Sequence, residues 1–190
     1  QAAHALLPDG WVRDKIIKIG EDGRITDIEP AADRTASAVD LLLPAPVNLH
    51  SHSFQRAMAG LTEARGGDPT DSFWTWRPLM YRFLDRLTPD HVEAIAAQAF
   101  VEMLETGFGA VAEFHYLHHG PGGLAYDNPA EMATRVAAAA EKTGIGLTLL
   151  PVLYMQGGCD GRALEGGQRR FGCNLEPFGE LLDHSAAALD

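Results

Sequence analysis

The stretch VNLHSHSFQRAMAGL, residues 47 to 61, ends an apolar run with two histidines, His50 and His52, one residue apart. Side chains two residues apart on a β-strand lie on the same face, about 6.6 Å from each other along the strand. We therefore expect both imidazoles to lean toward one point, while Val47 and Leu49 on the other face pack under a helix layer. Neutral imidazole is a preferred ligand of Zn²⁺, so the pair predicts a metal site. Two surface histidines in a loop are the alternative, because H-x-H is a common tripeptide.

Downstream of the histidines, helical and strand patterns alternate. Residues 88–107 predict a helix that Thr88 caps, with Pro89 at its first position and Gly107 at its end. Buried strands are predicted at 109–116 and 144–154, and further helices at 128–144 and 176–190. This order predicts an α/β fold in which helices cover a parallel sheet.

Turn residues and prolines mark the other predicted segments. Residues 11–29 predict a β-hairpin around an Asp-Gly turn. Residues 41–52 predict one buried strand that Pro44 and Pro46 interrupt and that ends in the two histidines. Residues 71–87 predict helical pieces that are broken near Pro78. Asn128 is predicted as the N-cap of the helix at 128–144.

The composition limits the classes of function. Lys and Arg number 15 against 26 Asp and Glu, a formal charge of −11, which gives no electrostatic footprint for nucleic acid or an anionic membrane. An apolar fraction of 46% supports a folded core. The two cysteines are too few for a disulfide framework, and neither a signal peptide nor a run of roughly 18 apolar residues is recognisable. These features predict a cytoplasmic protein.

Longer motifs around the histidine pair are more specific. FQRAMAGL at 54–61 and EFHYLHH at 113–119, with GIGLTLLPVLY followed by GGQRRF, resemble the formimidoylglutamate deiminase family of the amidohydrolase superfamily. The resemblance runs from about Leu43 to Phe171. H-x-H belongs to the whole superfamily, whereas the first two motifs are specific to this branch.

The resemblance implies an α/β fold with a metal-dependent TIM (β/α)8 barrel, preceded by strands of a small β-sandwich domain. The sandwich strands are expected in residues 1–42 and the barrel in residues 43–190. A complete barrel of this type needs about 250 residues. The chain is therefore expected to hold only about the first three βα units.

For function, the resemblance implies a zinc-dependent hydrolase of histidine degradation, which converts N-formimino-L-glutamate and water to N-formyl-L-glutamate and ammonia. One Zn²⁺ per subunit is implied, with His50 and His52 among its ligands. The remaining groups of the superfamily site, including an acid/base Glu, a His and an Asp, are expected beyond residue 190, so we assign no catalytic residue within this chain. The isolated segment of 190 residues is expected to be inactive.

The implied substrate is a small dianion, which needs cations and hydrogen-bond donors. Gln55 follows the histidines, and its amide can donate to a carboxylate. Arg77 sits among aromatic residues that would hold its guanidinium group for a bidentate contact. Tyr116 ends the second predicted barrel strand. The resemblance favours all three as substrate contacts, while a solvated loop glutamine and a surface arginine remain alternatives. A homodimer is expected only by analogy with such barrels.

The sequence does not decide the role of some polar residues near the predicted site. The motif EFHYLHH groups four possible ligands: Glu113, His115, His118 and His119. A second metal site is conceivable there, but a structural role or support of the first site is favoured. Arg169 and Arg170 could bind an anion or seal a subunit contact, and the sequence does not separate these roles.

Two alternatives to the deiminase hypothesis remain at this point. The first is another zinc deaminase of the same superfamily, which acts on a purine or related ring. The second is a non-catalytic scaffold that keeps the barrel without its chemistry.

Overall fold

A computed structural model describes residues 1–33, 35–62 and 73–189, and the chain divides into two compact units, Gln1–Ala45 and Pro46–Asp190. The strands of the N-terminal unit are β1 (Ala2–Leu7), β2 (Gly10–Ile19), β3 (Ile25–Pro30) and β4 (Val39–Leu42). They form one sheet in the order β3-β2-β1-β4. The β1–β2 and β2–β3 pairs are antiparallel, and the β1–β4 pair is parallel.

The predicted hairpin is confirmed by the antiparallel pairing of β2 with β3. Sequence reasoning missed β1, which is short and lacks a clear period-two pattern, and it joined the end of β4 to the strand that follows. The described strands of this unit form one sheet. The second layer that a sandwich requires stays a prediction.

The strand that ends at the histidines is confirmed, but the prediction of one strand over residues 41–52 is wrong. Strand β4 ends at Leu42 in the N-terminal unit, and a new strand, β5 (Val47–Ser51), begins in the second unit. Pro44 and Pro46 between them have no N–H group to give to a strand ladder. The chain therefore leaves one sheet before it enters the other.

The second unit is built on a parallel sheet in the order β5-β6-β7, where β6 is Ala110–His115 and β7 is Gly146–Pro151. Its helices are α1 (Phe73–Leu84), α2 (Pro89–Glu105), α3 (Glu131–Thr143) and α4 (Leu175–Ala187). The predicted alternation of parallel strands and helices is confirmed. Within the part of the chain that the structure describes, no helix has both the length and the apolar character of a membrane crossing.

The core of this unit joins helices α2 and α3 to the sheet. Phe100 of α2, Met132 and Val136 of α3, and Val111 of β6 are each at most 1% exposed and belong to one cluster. Full burial of a side chain of this size stabilises a fold by about 1.5–3 kcal/mol. The helices are thereby fixed on the sheet, and the carboxyl ends of the strands have a rigid base.

Helix α1 runs through Pro78, so the break predicted there is wrong. Proline removes one hydrogen bond from a helix. Met80 and Leu84, further along α1, are 5% and 0% exposed in the core, and this packing holds the helix across the missing bond. Residues 71 and 72 of the predicted segment lie outside the described residues.

The helix boundaries follow their capping residues in one case and depart from the prediction in another. Thr88 Oγ1 accepts from the backbone N of His91 at 3.3 Å, which confirms Thr88 as the cap of α2. Helix α3 has Ala130 as its N-cap, so the prediction of Asn128 is wrong. Asn128 Oδ1 accepts from Ala130 N at 3.0 Å, just ahead of the helix. Gly144 ends α3 with a φ of 77°, as predicted.

One face of β5 differs from the expectation. Val47 and Leu49 are 49% and 74% exposed, so no helix layer among the described residues covers them. The opposite face carries His50 and His52, whose rings pack beside Phe114 of β6. The alternation of the strand is thus as predicted, and only the cover of its apolar face differs.

Candidate metal and substrate site

His50 and His52 stand where β5 passes into a 3-10 turn over Ser53–Met58. Their Nε2 atoms lie 3.2 Å apart. His52 Nδ1 lies 2.8 Å from the carbonyl oxygen of Phe114. Because a carbonyl only accepts, Nδ1 carries the proton and Nε2 of the neutral ring offers its lone pair. The two imidazoles thus meet at one point, and their role as metal ligands stays a prediction.

The spacing of the two nitrogens suits a cation between them. Two nitrogen ligands of a tetrahedral zinc ion, each at about 2.0–2.1 Å from it, lie about 3.3 Å from each other. The observed separation of the Nε2 atoms is 3.2 Å. Across residues 1–33, 35–62 and 73–189, no group of three or more His, Cys, Asp or Glu side chains could hold a metal ion. The pair therefore fits two ligand positions of a site that needs further ligands.

A buried carboxylate supports the backbone behind the histidines. Glu113 of β6 is 1% exposed, and its Oε1 accepts from Ser53 N at 2.6 Å and from Ser53 Oγ at 2.8 Å. Burial raises the pKa of the Glu113 carboxyl above its usual range, and hydrogen bonds from Ser51 and Ser53 offset part of that rise. Because Ser53 directly follows His52, Glu113 holds the backbone from which the His52 ring projects.

A cavity of about 1430 Å³ lies beside His52. Gln55, Arg77 and Tyr116, the residues predicted as substrate contacts, all line it. Gln55 Nε2 donates to Tyr116 Oη at 2.7 Å. Burial raises the pKa of Tyr116 to about 12, so its hydroxyl keeps its proton at neutral pH and remains a donor. The structure gathers these residues in one space, and their contact with a substrate stays a prediction.

Sequence reasoning found Tyr116 but missed the aromatic residues around it, Tyr81, Tyr154 and Phe171, which also line the cavity. Phe171 is 2% exposed, and its ring centroid lies 4.8 Å from that of Tyr116, 5.6 Å from Tyr154 and 6.1 Å from Tyr81. We call these four residues, which all line the cavity, the tyrosine cluster. Its members come from three separate parts of the chain. The one sequence signal is that Tyr81 follows Arg77 by four residues, the spacing of neighbours on a helix face.

The histidines of EFHYLHH have structural contacts. His115 and His118 are 3% and 1% exposed, with ring centroids 5.6 Å apart. His118 Nε2 donates to the carbonyl oxygen of Val152 at 2.9 Å, and His119 Nε2 donates to that of Gly172 at 2.8 Å. The described residues contain no metal-binding group that includes these rings. His118 and His119 thereby brace the loops that follow β6 and β7.

Acid is expected to destabilise the protein through the two buried histidines. Burial lowers the pKa of His115 to about 3 and that of His118 to about 4, both below the ordinary 6.5. At these two positions the unfolded chain binds more protons than the folded chain below about pH 6.5, so their contribution to stability falls as the pH drops toward 4. We expect the free energy of unfolding to be roughly 2–4 kcal/mol lower at pH 5 than at pH 7. Urea denaturation of the complete protein at both pH values measures this.

A pair of double variants isolates this contribution. The variant His115→Gln, His118→Gln is expected to lose most of the difference between pH 7 and pH 5. The variant His91→Gln, His184→Gln, which changes two exposed histidines, is expected to retain it. An undiminished difference in the first variant would mean that other groups cause the acid sensitivity.

Arg170 is an internal clamp. It is 0% exposed, and its guanidinium group donates to the carbonyl oxygens of His119 at 2.9 Å, Leu87 at 3.0 Å, and Leu84. Its own carbonyl oxygen accepts from the backbone N atoms of His118 and His119, both at 2.9 Å. Arg170 thereby ties the end of α1 to the loops after β6 and β7. Neither an anion contact nor a subunit contact describes this inward-facing side chain.

Comparison with known proteins follows the division of the chain. Residues 1–40 match the family model of the N-terminal domain of formimidoylglutamate deiminase HutF, and residues 41–169 match that of the amidohydrolase family. A formimidoylglutamate deiminase of Pseudomonas aeruginosa is 50% identical over 194 residues, which cover 100% of this chain and 42% of that protein. An 8-oxoguanine deaminase of the same organism is 32% identical over 112 residues, which cover 55% of this chain and 24% of that protein.

A solved structure gives the same family. The crystal structure of an amidohydrolase from Brucella melitensis is 46% identical, with a TM-score of 0.90 over 99% of this chain and 42% of that chain. The chain thus spans 42% of the length of the Pseudomonas deiminase and of the Brucella structure. The predicted fold class, an α/β barrel of the amidohydrolase type, is confirmed, and the described residues supply three of its parallel strands. With residues 41–169 matched, the chain belongs to the amidohydrolase family.

Proposed function

We propose that this chain is part of a metal-dependent hydrolase that converts N-formimino-L-glutamate and water to N-formyl-L-glutamate and ammonia, a step of histidine degradation. The observation that carries the proposal is the meeting of His50 and His52 Nε2 atoms at 3.2 Å, beside a cavity lined by Gln55, Arg77 and Tyr116. The relative at 50% identity bears the name of this activity, and the family match of residues 1–40 bears the same name.

The proposed cofactor is one Zn²⁺ per subunit, with His50 and His52 as two of its ligands. When bound, zinc supplies a water molecule whose pKa is near 7. The hydrogen bond from His52 Nδ1 to the Phe114 carbonyl supports this role, because it fixes the tautomer and makes Nε2 a better ligand. The acid/base group and the other ligands belong to later barrel strands in this proposal.

The cavity residues suit a dianionic substrate. Arg77 brings a fixed positive charge into a chain whose formal charge is −11. Gln55 Nε2 donates a hydrogen bond to the oxygen of the Tyr116 hydroxyl. The hydroxyl hydrogen is therefore directed away from Gln55 and can be donated to a carboxylate. One end of the substrate is thus held by Arg77 and by Tyr116 with its Gln55 partner, while the formimino carbon faces the histidine pair.

A deaminase of a purine-like ring is the second candidate. The 8-oxoguanine deaminase at 32% identity favours it, as do the aromatic side chains of the tyrosine cluster, which suit a flat ring. Arg77 favours the dianion, because a neutral heterocycle has no carboxylate for a guanidinium group to bind. The match to the N-terminal domain of formimidoylglutamate deiminase also favours the first candidate.

Ammonia release by the complete, zinc-loaded protein separates the candidates. We expect turnover of N-formimino-L-glutamate, and no turnover of guanine or 8-oxoguanine. Turnover of a ring substrate alone would overturn the deiminase proposal. No ammonia from any of the three, with zinc bound at full stoichiometry, would favour a non-catalytic scaffold.

Gln55→Ala is expected to keep the metal and weaken the use of substrate. The change removes the donor that holds the Tyr116 hydroxyl and leaves both histidines untouched. We expect KM to rise roughly tenfold or more, as for the loss of a hydrogen bond to a charged group. Steady-state kinetics and zinc content by mass spectrometry measure the two effects. Gln98→Ala, on the surface of α2, is the matched control, and loss of zinc in Gln55→Ala would show that Gln55 supports the metal instead.

A cytoplasmic homodimer completes the proposal. Cys159 and Cys173 are both free thiols in the structure, which suits a reducing compartment. The dimer rests on analogy with other barrels of this type. Sedimentation of the complete protein measures its oligomeric state directly.

A further inference from the structure

We propose that Tyr81 and Gly167 are positioning residues that aim Arg77 at a carboxylate of the substrate, an inference that rests on the proposed function. Two close contacts and one ring contact carry it: Arg77 with Tyr81, Tyr81 with Gly167, and Tyr81 with Phe171. Tyr81 and Gly167 act through Arg77, and neither is assigned a contact with the reacting atoms.

Arg77 and Tyr81 meet on successive turns of α1. Arg77 Nε donates to Tyr81 Oη at 2.9 Å, and Arg77 Cζ lies 5.3 Å from the centroid of the Tyr81 ring. A hydrogen bond at Nε fixes the plane of the guanidinium group, and a carboxylate binds a guanidinium group within that plane through two parallel bonds. The position of the Tyr81 hydroxyl therefore sets the direction in which Arg77 meets an anion.

The Tyr81 ring in turn rests on the backbone of Gly167. A Cβ atom at Gly167 would lie 2.4 Å from Tyr81 Cδ1, 2.8 Å from Cγ and 3.0 Å from Cβ. Carbon atoms in contact are about 3.5–4.0 Å apart. Any side chain at position 167 would therefore push the whole Tyr81 side chain, from its Cβ atom onward, out of its present place. Gly167 lies in a 3-10 turn over Gly166–Arg170, after β7, and thus far from α1 in the sequence. The turn after β7 therefore sets the direction of Arg77 on α1.

The contact between the Tyr81 and Phe171 rings links this arrangement to the rest of the cavity. The Phe171 ring lies 6.1 Å from the Tyr81 ring and 4.8 Å from the Tyr116 ring. Arg77 is held through Tyr81, and Gln55 is bonded to Tyr116. Phe171 therefore packs against the partners of both Arg77 and Gln55, and such a fixed arrangement suits the binding of one small substrate.

Two variants of the complete, zinc-loaded protein test the inference. Tyr81→Phe keeps the ring and removes the acceptor of the Arg77 bond, so we expect KM for N-formimino-L-glutamate to rise roughly three- to tenfold with kcat and zinc content unchanged. Gly167→Ala is expected to raise KM at least as much, because ring and hydroxyl move together. Gly179→Ala in α4 is the matched control: a Cβ there meets no atom within 4 Å, and KM is expected not to change.

The possible failures are distinguishable. An unchanged KM in Tyr81→Phe, beside a wild type that turns over the substrate, overturns the inference and leaves the proposed function intact. A fall in kcat or zinc content at constant KM indicates a merely structural role and overturns it too. If the wild type releases no ammonia, the proposed function fails, and crystal structures of the wild type and Gly167→Ala decide the positioning. A guanidinium group displaced relative to Gln55 supports it, and an unmoved one overturns it.

Discussion

His52→Ala in the complete protein is expected to lose zinc and hydrolytic activity together, and His50→Ala to behave alike. Each change leaves one nitrogen at a point where two Nε2 atoms now lie 3.2 Å apart. Changing only an outer partner of a metal ligand weakens metal binding by roughly 10- to 100-fold, so loss of a ligand itself is expected to exceed this range. Zinc content after dialysis against a chelator and ammonia release from N-formimino-L-glutamate measure the two losses.

A histidine elsewhere in the chain controls for the loss of any imidazole. His4 is an exposed residue of β1 in the N-terminal unit, and His4→Ala is expected to keep zinc and activity. Full zinc stoichiometry in His52→Ala or His50→Ala would contradict the ligand assignment. Loss of activity with zinc retained would show that the two histidines contact the substrate and are not metal ligands.

Arg170→Met is expected to lower the free energy of unfolding by roughly 3–5 kcal/mol. The side chain is 0% exposed, and its removal takes the donor from three carbonyl oxygens, those of His119, Leu87 and Leu84. A buried acceptor left without a partner costs about 1–3 kcal/mol. Methionine keeps much of the volume of arginine, so little of the loss comes from an empty cavity.

Urea denaturation at a fixed zinc concentration measures this change, because bound metal adds its own stabilisation. The neighbouring Arg169 is exposed, so Arg169→Met is the matched control and is expected to change stability by no more than about 0.5 kcal/mol. A loss below about 1 kcal/mol in Arg170→Met would show that the three carbonyl oxygens find other donors.

Local patterns explain which features could be predicted from the sequence. The meeting of His50 and His52 follows from the two-residue period of a strand, which needs no knowledge of the tertiary structure. The cap at Thr88 is likewise a local hydrogen bond. In contrast, the break predicted at Pro78 is wrong because distant core contacts of α1 outweigh one lost bond. Local preferences decide a structure where tertiary packing does not oppose them.

The features that were missed depend on tertiary contacts. The tyrosine cluster joins side chains from three separated segments, and the sequence alone does not bring them together. For Arg170 only an anion contact or a subunit contact was considered, and an internal role is hard to predict because arginine is almost never fully buried. Its three carbonyl partners come from loops whose meeting point only the fold defines. A buried arginine becomes recognisable once its acceptors are placed.

The shared contact of Phe171 with Tyr81 and Tyr116 has an evolutionary consequence. Substitutions at residues that touch a common neighbour have free-energy effects that do not simply add. A mutation that reshapes the Arg77 side of the cavity therefore changes what a later mutation on the Gln55 side can achieve. This epistasis makes the order of substitutions matter when a descendant of this barrel acquires a different substrate preference.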